Sequence, residues 1–181
     1  RDGNVSMAEL YCLCAIARHQ RIHSAFEIGT FDGLVMAQLA RNTDAQTRLI
    51  TVDLRPEDLP RLRRPLAHGD IVYVQKAAIG EHIERLPSAL RTRVTQLYGD
   101  STQLDFSPYE GHIDLVFIDG SHESYYVEHD SQEAFRLRSP GGIIIWQDYL
   151  AWPDVTRYLN RLQRHYPLVH IEGTSLVIYR P

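Results

Sequence analysis

Cysteine is scarce in this chain, with two among 181 residues. Cys12 and Cys14 lie two apart in a helical-looking segment, so they point to different faces and cannot build a zinc cluster by themselves; reduced, buried thiols are the expectation. Long apolar runs are missing too. Nothing approaches the ~20 residues of a membrane span, and the start lacks the charged-then-apolar layout of a signal peptide, which reads as a cytoplasmic protein without a membrane partner. Nor is there an excess of positive charge. The 19 basic against 23 acidic residues leave a net charge of −4, giving no broad electrostatic reason to expect nucleic acid or an anionic surface as partner. A small molecule is the default ligand. Internal repeats and low-complexity segments are absent, and 181 residues fit one domain spanning 1–181. The chain starts at Arg1 instead of methionine, which reads as an excised or trimmed domain.

What is present is a strand, an acid and a glycine loop. Ala25 to Ile28 is a short apolar run carrying Glu27, followed by Gly29, Thr30, Phe31, Asp32 and Gly33, after which a helical pattern opens. Glycine lets the backbone take positive φ and lets a ligand approach the main chain. The order Glu-x-Gly-x-x-x-Gly differs from the Gly-x-Gly-x-x-Gly that clears room for a pyrophosphate. A ligand without a pyrophosphate but with an ammonium group suits the acid beside the loop, and S-adenosylmethionine is such a ligand.

Met7, Leu10, Tyr11, Cys14 and Ala17 recur at three- and four-residue steps, predicting a leading helix over 5–20 with that face buried. A helix over Asp32 to Arg41 and a strand over Leu49 to Val52, ending at Asp53, complete a βαβ unit. Residues 55–93 read as an insertion, with a short strand at Ile71 to Val74 and arginines that face either solvent or an anionic substrate, solvent being favoured. Alternation then resumes. Strands fall at Val94 to Tyr98, Ile113 to Ile118 and Ile143 to Trp146, with a helix over Tyr126 to Arg138. A last helix runs from Pro153 to about Tyr166, and strands at Leu168 to Ile171 and Ser175 to Tyr179 close the chain. This is an α/β chain whose mostly parallel sheet is covered on both faces, and ligands of such sheets bind outside the carboxyl ends of the strands. Glu27, Asp53, Asp100, Asp119 and Asp148 therefore gather on one rim.

Five stretches, FEIGTFDG, ITVDL, LYGDST, DLVFIDGSHESYY with the downstream Asp130, and PGGIIIWQDY, stand in order from Phe26 to Tyr149. With them the chain resembles the class I S-adenosylmethionine-dependent methyltransferases, in the small-molecule O-methyltransferase branch that includes catechol O-methyltransferase and the macrolide-sugar enzymes. The resemblance implies a Rossmann-like, doubly wound, seven-stranded sheet with an antiparallel last strand. It also implies that Glu27, Gly29, Thr30, Phe31 and Gly33 frame the methionine part of the cofactor. Asp53 takes the ribose hydroxyls, since a carboxylate accepts two hydrogen bonds at once; the alternative for Asp53 is a strand-end acid capping a helix. Gly99, Asp100 and Ser101 flank the adenine, and Asp119 adjoins the cofactor.

Asp119 and Asp148 correspond to the metal-binding acids of the divalent-dependent members, where magnesium takes oxygen ligands and keeps several waters. Here the chain departs from the pattern. Tyr149 stands where catechol-type enzymes carry an asparagine ligand, and Gln147 precedes Asp148, so the alternative is that both acids serve cofactor and substrate without a cation. His122 falls at the place of the catechol enzymes' catalytic lysine and is the candidate general base, an imidazole being able to accept a proton near neutrality; Asp119 is the second catalytic candidate. His129 reads as a surface or packing residue. Tyr125, Tyr149 and Trp152 are candidates for the wall of an acceptor pocket, with core aromatics as the alternative.

The function read from these residues is methyl transfer from S-adenosylmethionine to a hydroxyl of a small acceptor, a sugar or secondary metabolite. A nicotinamide-dependent oxidoreductase and a non-catalytic S-adenosylmethionine-binding module are the rival readings. Homo-oligomerisation is left open.

Overall fold

The computed structural model describes residues 3–181 apart from Ala77, with only the backbone of Lys76. Arg1, Asp2 and Ala77, and with them the reading of the chain's first residue, lie outside the described residues. Seven strands form one sheet: β1 (Ser24–Ile28), β2 (Arg48–Asp53), β3 (Val94–Tyr98), β4 (Ile113–Ile118), β5 (Arg138–Trp146), β6 (Leu168–His170) and β7 (Val177–Tyr179). Their spatial order is β3-β2-β1-β4-β5-β7-β6. β1 to β5 pair in parallel, and β7 runs antiparallel between β5 and β6. The expected doubly wound sheet with its antiparallel closing strand is what the chain forms.

Helices cover both faces because alternate residues of each strand point to opposite sides. Ala25, Leu49, Leu115, Phe117, Ile143 and Ile145 build one apolar layer under α1 (Met7–His19) and α2 (Leu34–Asn42). Phe26, Ile50, Val52, Val116, Ile144 and Trp146 build the other, under α6 (Ser124–Leu137) and α7 (Pro153–Leu162). The buried Trp146 indole donates to Ser131 Oγ at 2.9 Å, so this layer closes without an orphaned indole N–H.

Two expectations fail. Of the expected face of α1, Leu10 and Ala17 are buried, with Leu13 and Glu9 beside them, whereas Met7 and Tyr11 are 66% and 75% exposed. Both sets have helical spacing, so periodicity fixed the helix but not its rotation. The rotation follows Glu9, whose carboxylate closes a capping box with Ser6 and accepts from Ser175 across the sheet end. Cys12 and Cys14 are consequently free and half-buried, not fully enclosed.

The strand expected at Ile71 to Val74 is instead part of helix α3 (His68–Lys76). Four apolar or aromatic residues in a row have no period, and length could not arbitrate. Two short helices follow, α4 (Glu81–Glu84) and α5 (Ser88–Arg91). Arg61, Arg63 and Arg64 are exposed. Among the described residues no helix is long and apolar enough to cross a membrane.

β2 and β3 lie on one side of β1, and β4 lies on the other. The chain's direction of winding therefore reverses between β1 and β4, and a crevice opens beyond their carboxyl ends.

Candidate active site

At that reversal the loops after β1 and β4 meet. Gly29 N–H donates to Val52 O and Asp119 N–H to Ile28 O, both at 2.9 Å. Gly29 has φ 102°, and a Cβ there would collide with the Asp119 carbonyl, so only glycine permits this approach. Phe31 also takes positive φ, 47°, unusual for a bulky residue. Its N–H donates to Asp53 Oδ2 at 2.5 Å and its ring meets Tyr73 edge-on at 6.0 Å, contacts that hold the strained loop.

A cavity of about 270 Å³ lies over these loops. Gly29, Phe31, Asp53, Asp119, His122, Asp148 and Trp152 line it, together with Leu66, Asp70 and Tyr73 from the 55–93 segment. Glu27 and Thr30 are buried below. Thr51 donates to Glu27 Oε2 at 2.6 Å, so Thr30, 2.6 Å from the Thr51 hydroxyl, must donate to it. Gly33 caps α2, away from the cavity wall.

Gly99, Asp100 and Ser101 adjoin Asp53, the Gly99 N–H donating to Asp53 O at 2.9 Å, but they lie outside this cavity. Their polar side chains are engaged internally. Asp100 accepts from Thr102 and Gln103, and Ser101 donates to the buried Asp130 at 2.7 Å. His129 reaches Asp130 as well, at 3.4 Å, and is partly exposed.

Three acids at this rim hold their protons more tightly than usual. For Glu27, burial raises the pKa most, with the charges of Asp53 and Asp32 adding to it against the Thr51 hydrogen bond. For Asp53, burial outweighs the bonds from Phe31, Leu54 and Thr30 and moves it to about 6. Asp119 is raised by burial first and then by Asp148, an effect that His122 partly offsets. Burial and the mutual charge of these clustered carboxylates thus act in the same direction.

His122 is held by two carboxylates. Its Nδ1 lies 2.5 Å from Asp70 Oδ1 and its Nε2 2.6 Å from Asp148 Oδ2. Trp152 stacks on the ring, centroids 4.1 Å apart and planes 10° off parallel. Burial alone would lower the histidine's pKa, but the bonds and charges of Asp148 and Asp70 outweigh it and bring it to about 9. Asp70, 6% exposed, also accepts from Ser121 Oγ at 2.7 Å and His122 N–H at 2.9 Å, so it pins the whole β4 loop to α3. Gly69 beside it leaves room for Trp152, whose ring would lie 2.8 Å from a Cβ. Sequence reading missed Asp70 because it is one acid in an unpatterned segment, 52 residues from its partner.

Asp148 stands in the left-handed region, φ 66°. Its N–H donates to Ser175 Oγ at 3.1 Å, and that hydroxyl donates on to Glu9 Oε1 at 2.7 Å. A buried chain thus runs from α1 to the loop after β5. Of the aromatics expected at a pocket wall, only Trp152 is there. Tyr149 turns its hydroxyl to Asn160 at 3.0 Å, and Tyr125 packs edge-on against Tyr126 at the surface.

Beyond fold and geometry, the sequence matches a family described as a methyltransferase domain over residues 26–149. An α/β chain with an acidic crevice at its winding reversal is of the class that binds a small ligand at the strand ends. This chain belongs to that methyltransferase-domain family. It is 27% identical over 137 residues to a catechol O-methyltransferase of Mycobacterium tuberculosis, covering 74% of this chain and 51% of that protein. The chain therefore spans about half the length of the curated relative it matches. Its fold is shared by an O-methyltransferase of tomaymycin synthesis from Streptomyces achromogenes, solved with S-adenosylmethionine. The TM-score is 0.67 at 21% identity, covering 98% of this chain and 80% of that one. An O-methyltransferase from Bacillus cereus, solved with S-adenosylhomocysteine, gives 0.65 at 21% identity, covering 98% and 82%.

Proposed function

We propose that this chain, acting as one domain, moves the methyl group of S-adenosylmethionine to a hydroxyl of a small acceptor such as a sugar or secondary metabolite. The observation that carries this reading is the acidic rim: Asp53 and Asp119 line a crevice, with Glu27 buried behind it, and Gly29 admits a ligand against the backbone. A sulfonium and an ammonium charge together relieve that excess of carboxylate. The residues present fit the cofactor. Gly29 and Phe31 shape its methionine end from the cavity wall, with Glu27 and Thr30 buried beneath them and Gly33 turning the chain into α2; Asp119 supplies negative charge there, and Asp53 faces the ribose hydroxyls. Gly99, Asp100 and Ser101 border the adenine from outside the cavity.

The cofactor supplies an electrophilic methyl group on a sulfur that departs as a neutral thioether. The protein's share is alignment and proton removal. Holding nucleophile and methyl in line is worth about 7 to 11 kcal/mol of barrier, and assisted deprotonation adds roughly 10² to 10⁴ in rate. His122 does not act as a free base, because both ring nitrogens are engaged. The acceptor proton passes to the Asp70–His122–Asp148 cluster, all three members of which line the cavity. Trp152 fixes the imidazole plane and forms the apolar side of the acceptor pocket.

The test is calorimetry with S-adenosylhomocysteine, followed by labelled S-adenosylmethionine and a panel of hydroxylated small molecules. Label in an acceptor ether supports the reading. Binding with no transfer to any acceptor makes the chain a cofactor-binding module, and absence of binding refutes the site.

A further inference from the structure

A divalent cation of the magnesium kind needs several oxygen ligands converging on one point. The catechol-type pattern assigns that point to Asp119, Asp148 and the residue after Asp148. In this chain each of the three faces something else. The Gln147 amide nitrogen, in the orientation that satisfies both groups, donates to both Asp119 carboxylate oxygens. His122 Nε2 occupies Asp148 Oδ2 at 2.6 Å. Tyr149 is turned away to Asn160, its ring against His170 at 5.1 Å. Among the described residues no group of three or more His, Cys, Asp or Glu has the arrangement of a metal site. Donors, not lone pairs, fill the space between these acids.

We infer that this site works without a divalent cation, and that His122, clamped between Asp70 and Asp148, stands at the place the pattern gives to a metal. Each ring nitrogen lies within 2.6 Å of a carboxylate oxygen, so Asp148 Oδ2 is taken by the ring. Gln147 does for Asp119 what His122 does for Asp148. The exchange has a consequence for the acceptor. A cation chelates two neighbouring oxygens, whereas an imidazole ring with both nitrogens committed to carboxylates chelates none. The acceptor class is therefore a compound presenting a single hydroxyl beside Asp148, with no need for a vicinal diol. This last step rests on the methyl-transfer reading; the cation step does not.

The experiment titrates Mn²⁺ into the full chain, alone and preloaded with S-adenosylhomocysteine, and reads free aquo-Mn²⁺ by electron paramagnetic resonance. The expected result is a signal equal to that of buffer up to about 1 mM metal, a bound above which binding is weaker than about −4 kcal/mol. Uptake of one equivalent per chain below that concentration overturns the proposal. His122→Asn removes the ring that occupies Asp148 and is expected to bind Mn²⁺ at least about tenfold more tightly than the parent; equal affinity overturns the assignment to His122. Should the variant not fold, as read by circular dichroism, the parent titration still decides. Failure of S-adenosylhomocysteine to bind counts against the methyl-transfer reading alone, because the metal titration is also run without it. If transfer is observed, loss of it in EDTA, or confinement of it to vicinal diols, likewise overturns the inference.

Discussion

Replacing Asp70 by asparagine removes one negative charge from the His122 clamp while keeping an oxygen near the Ser121 hydroxyl and the His122 N–H. In the folded chain His122 titrates at about 9 against 6.5 unfolded, so holding its proton stabilises the fold by about 3 kcal/mol. The stabilisation is complete below the unfolded value and is lost as pH rises through about 9. On the acid side, Asp70 is itself held below its usual range; burial opposes this, but the bonds and charge of His122 prevail, so its contribution persists until pH falls through that lowered value. Two carboxylates share the imidazole, so roughly half of the 3 kcal/mol, about 1.5 kcal/mol, belongs to Asp70. Weakened hydrogen bonds from Ser121 and His122 N–H add about 1 kcal/mol that does not depend on pH in this range. Asp70→Asn is therefore expected to be destabilised by about 2.5 kcal/mol at pH 6.5 and by about 1 kcal/mol at pH 10. Urea denaturation of both proteins at pH 6.5, 8, 9 and 10 measures the difference, and every other titrating group cancels between them. A deficit of the same size at pH 6.5 and pH 10 would refute the idea that Asp70 acts on a charged imidazole.

Three further outcomes follow from the same geometry. Gly29→Ala drives a methyl group into the Asp119 carbonyl and is expected to abolish S-adenosylhomocysteine binding in calorimetry; retained binding would show that the two loops can separate. Glu9→Gln weakens the chain through Ser175 to the strained Asp148, and should lower kcat and stability, the latter by about 1.5 to 3 kcal/mol, with cofactor affinity unchanged. A fall in cofactor affinity instead would place Glu9 elsewhere in the mechanism. Because Asp53 titrates at about 6, its carboxylate is available to the ribose above that pH and protonated below it. Cofactor affinity should drop as pH falls through about 6 in the parent and stay flat in Asp53→Asn, and parallel pH profiles in the two proteins would remove Asp53 from the ribose.

Much of the fold was legible because the central strands are buried on both faces and so read as continuous apolar runs. β3 and β4 fall on the expected residues, and an acid lies in or within two residues of the end of each of the first five strands, Glu27, Asp53, Asp100, Asp119 and Asp148, which located the rim. The glycine loop was legible for a backbone reason, since few residues tolerate the φ of Gly29. The rotation of α1 was legible only in part: of the expected face Leu10 and Ala17 are buried and Cys14 packs against the core, but Met7 and Tyr11, which share that spacing, face solvent. What decided between them was Glu9, through hydrogen bonds to Ser175, 166 residues away. The 55–93 segment gave neither its helix nor its acid, for it has no period and its role is defined by what it touches.

By itself, then, the order of residues determined the alternation of strands and helices, the parallel sheet, the glycine loop and the family, all of which rest on local patterns of apolarity and backbone freedom. Only tertiary structure decided what the acids and the histidine are for. Asp70 arrives from a distant helix, Gln147 and His122 turn donors onto Asp119 and Asp148, and Trp152 closes over the ring. Charge at a site depends on distances of a few ångströms between segments far apart in the chain, and no spacing along the sequence encodes those distances.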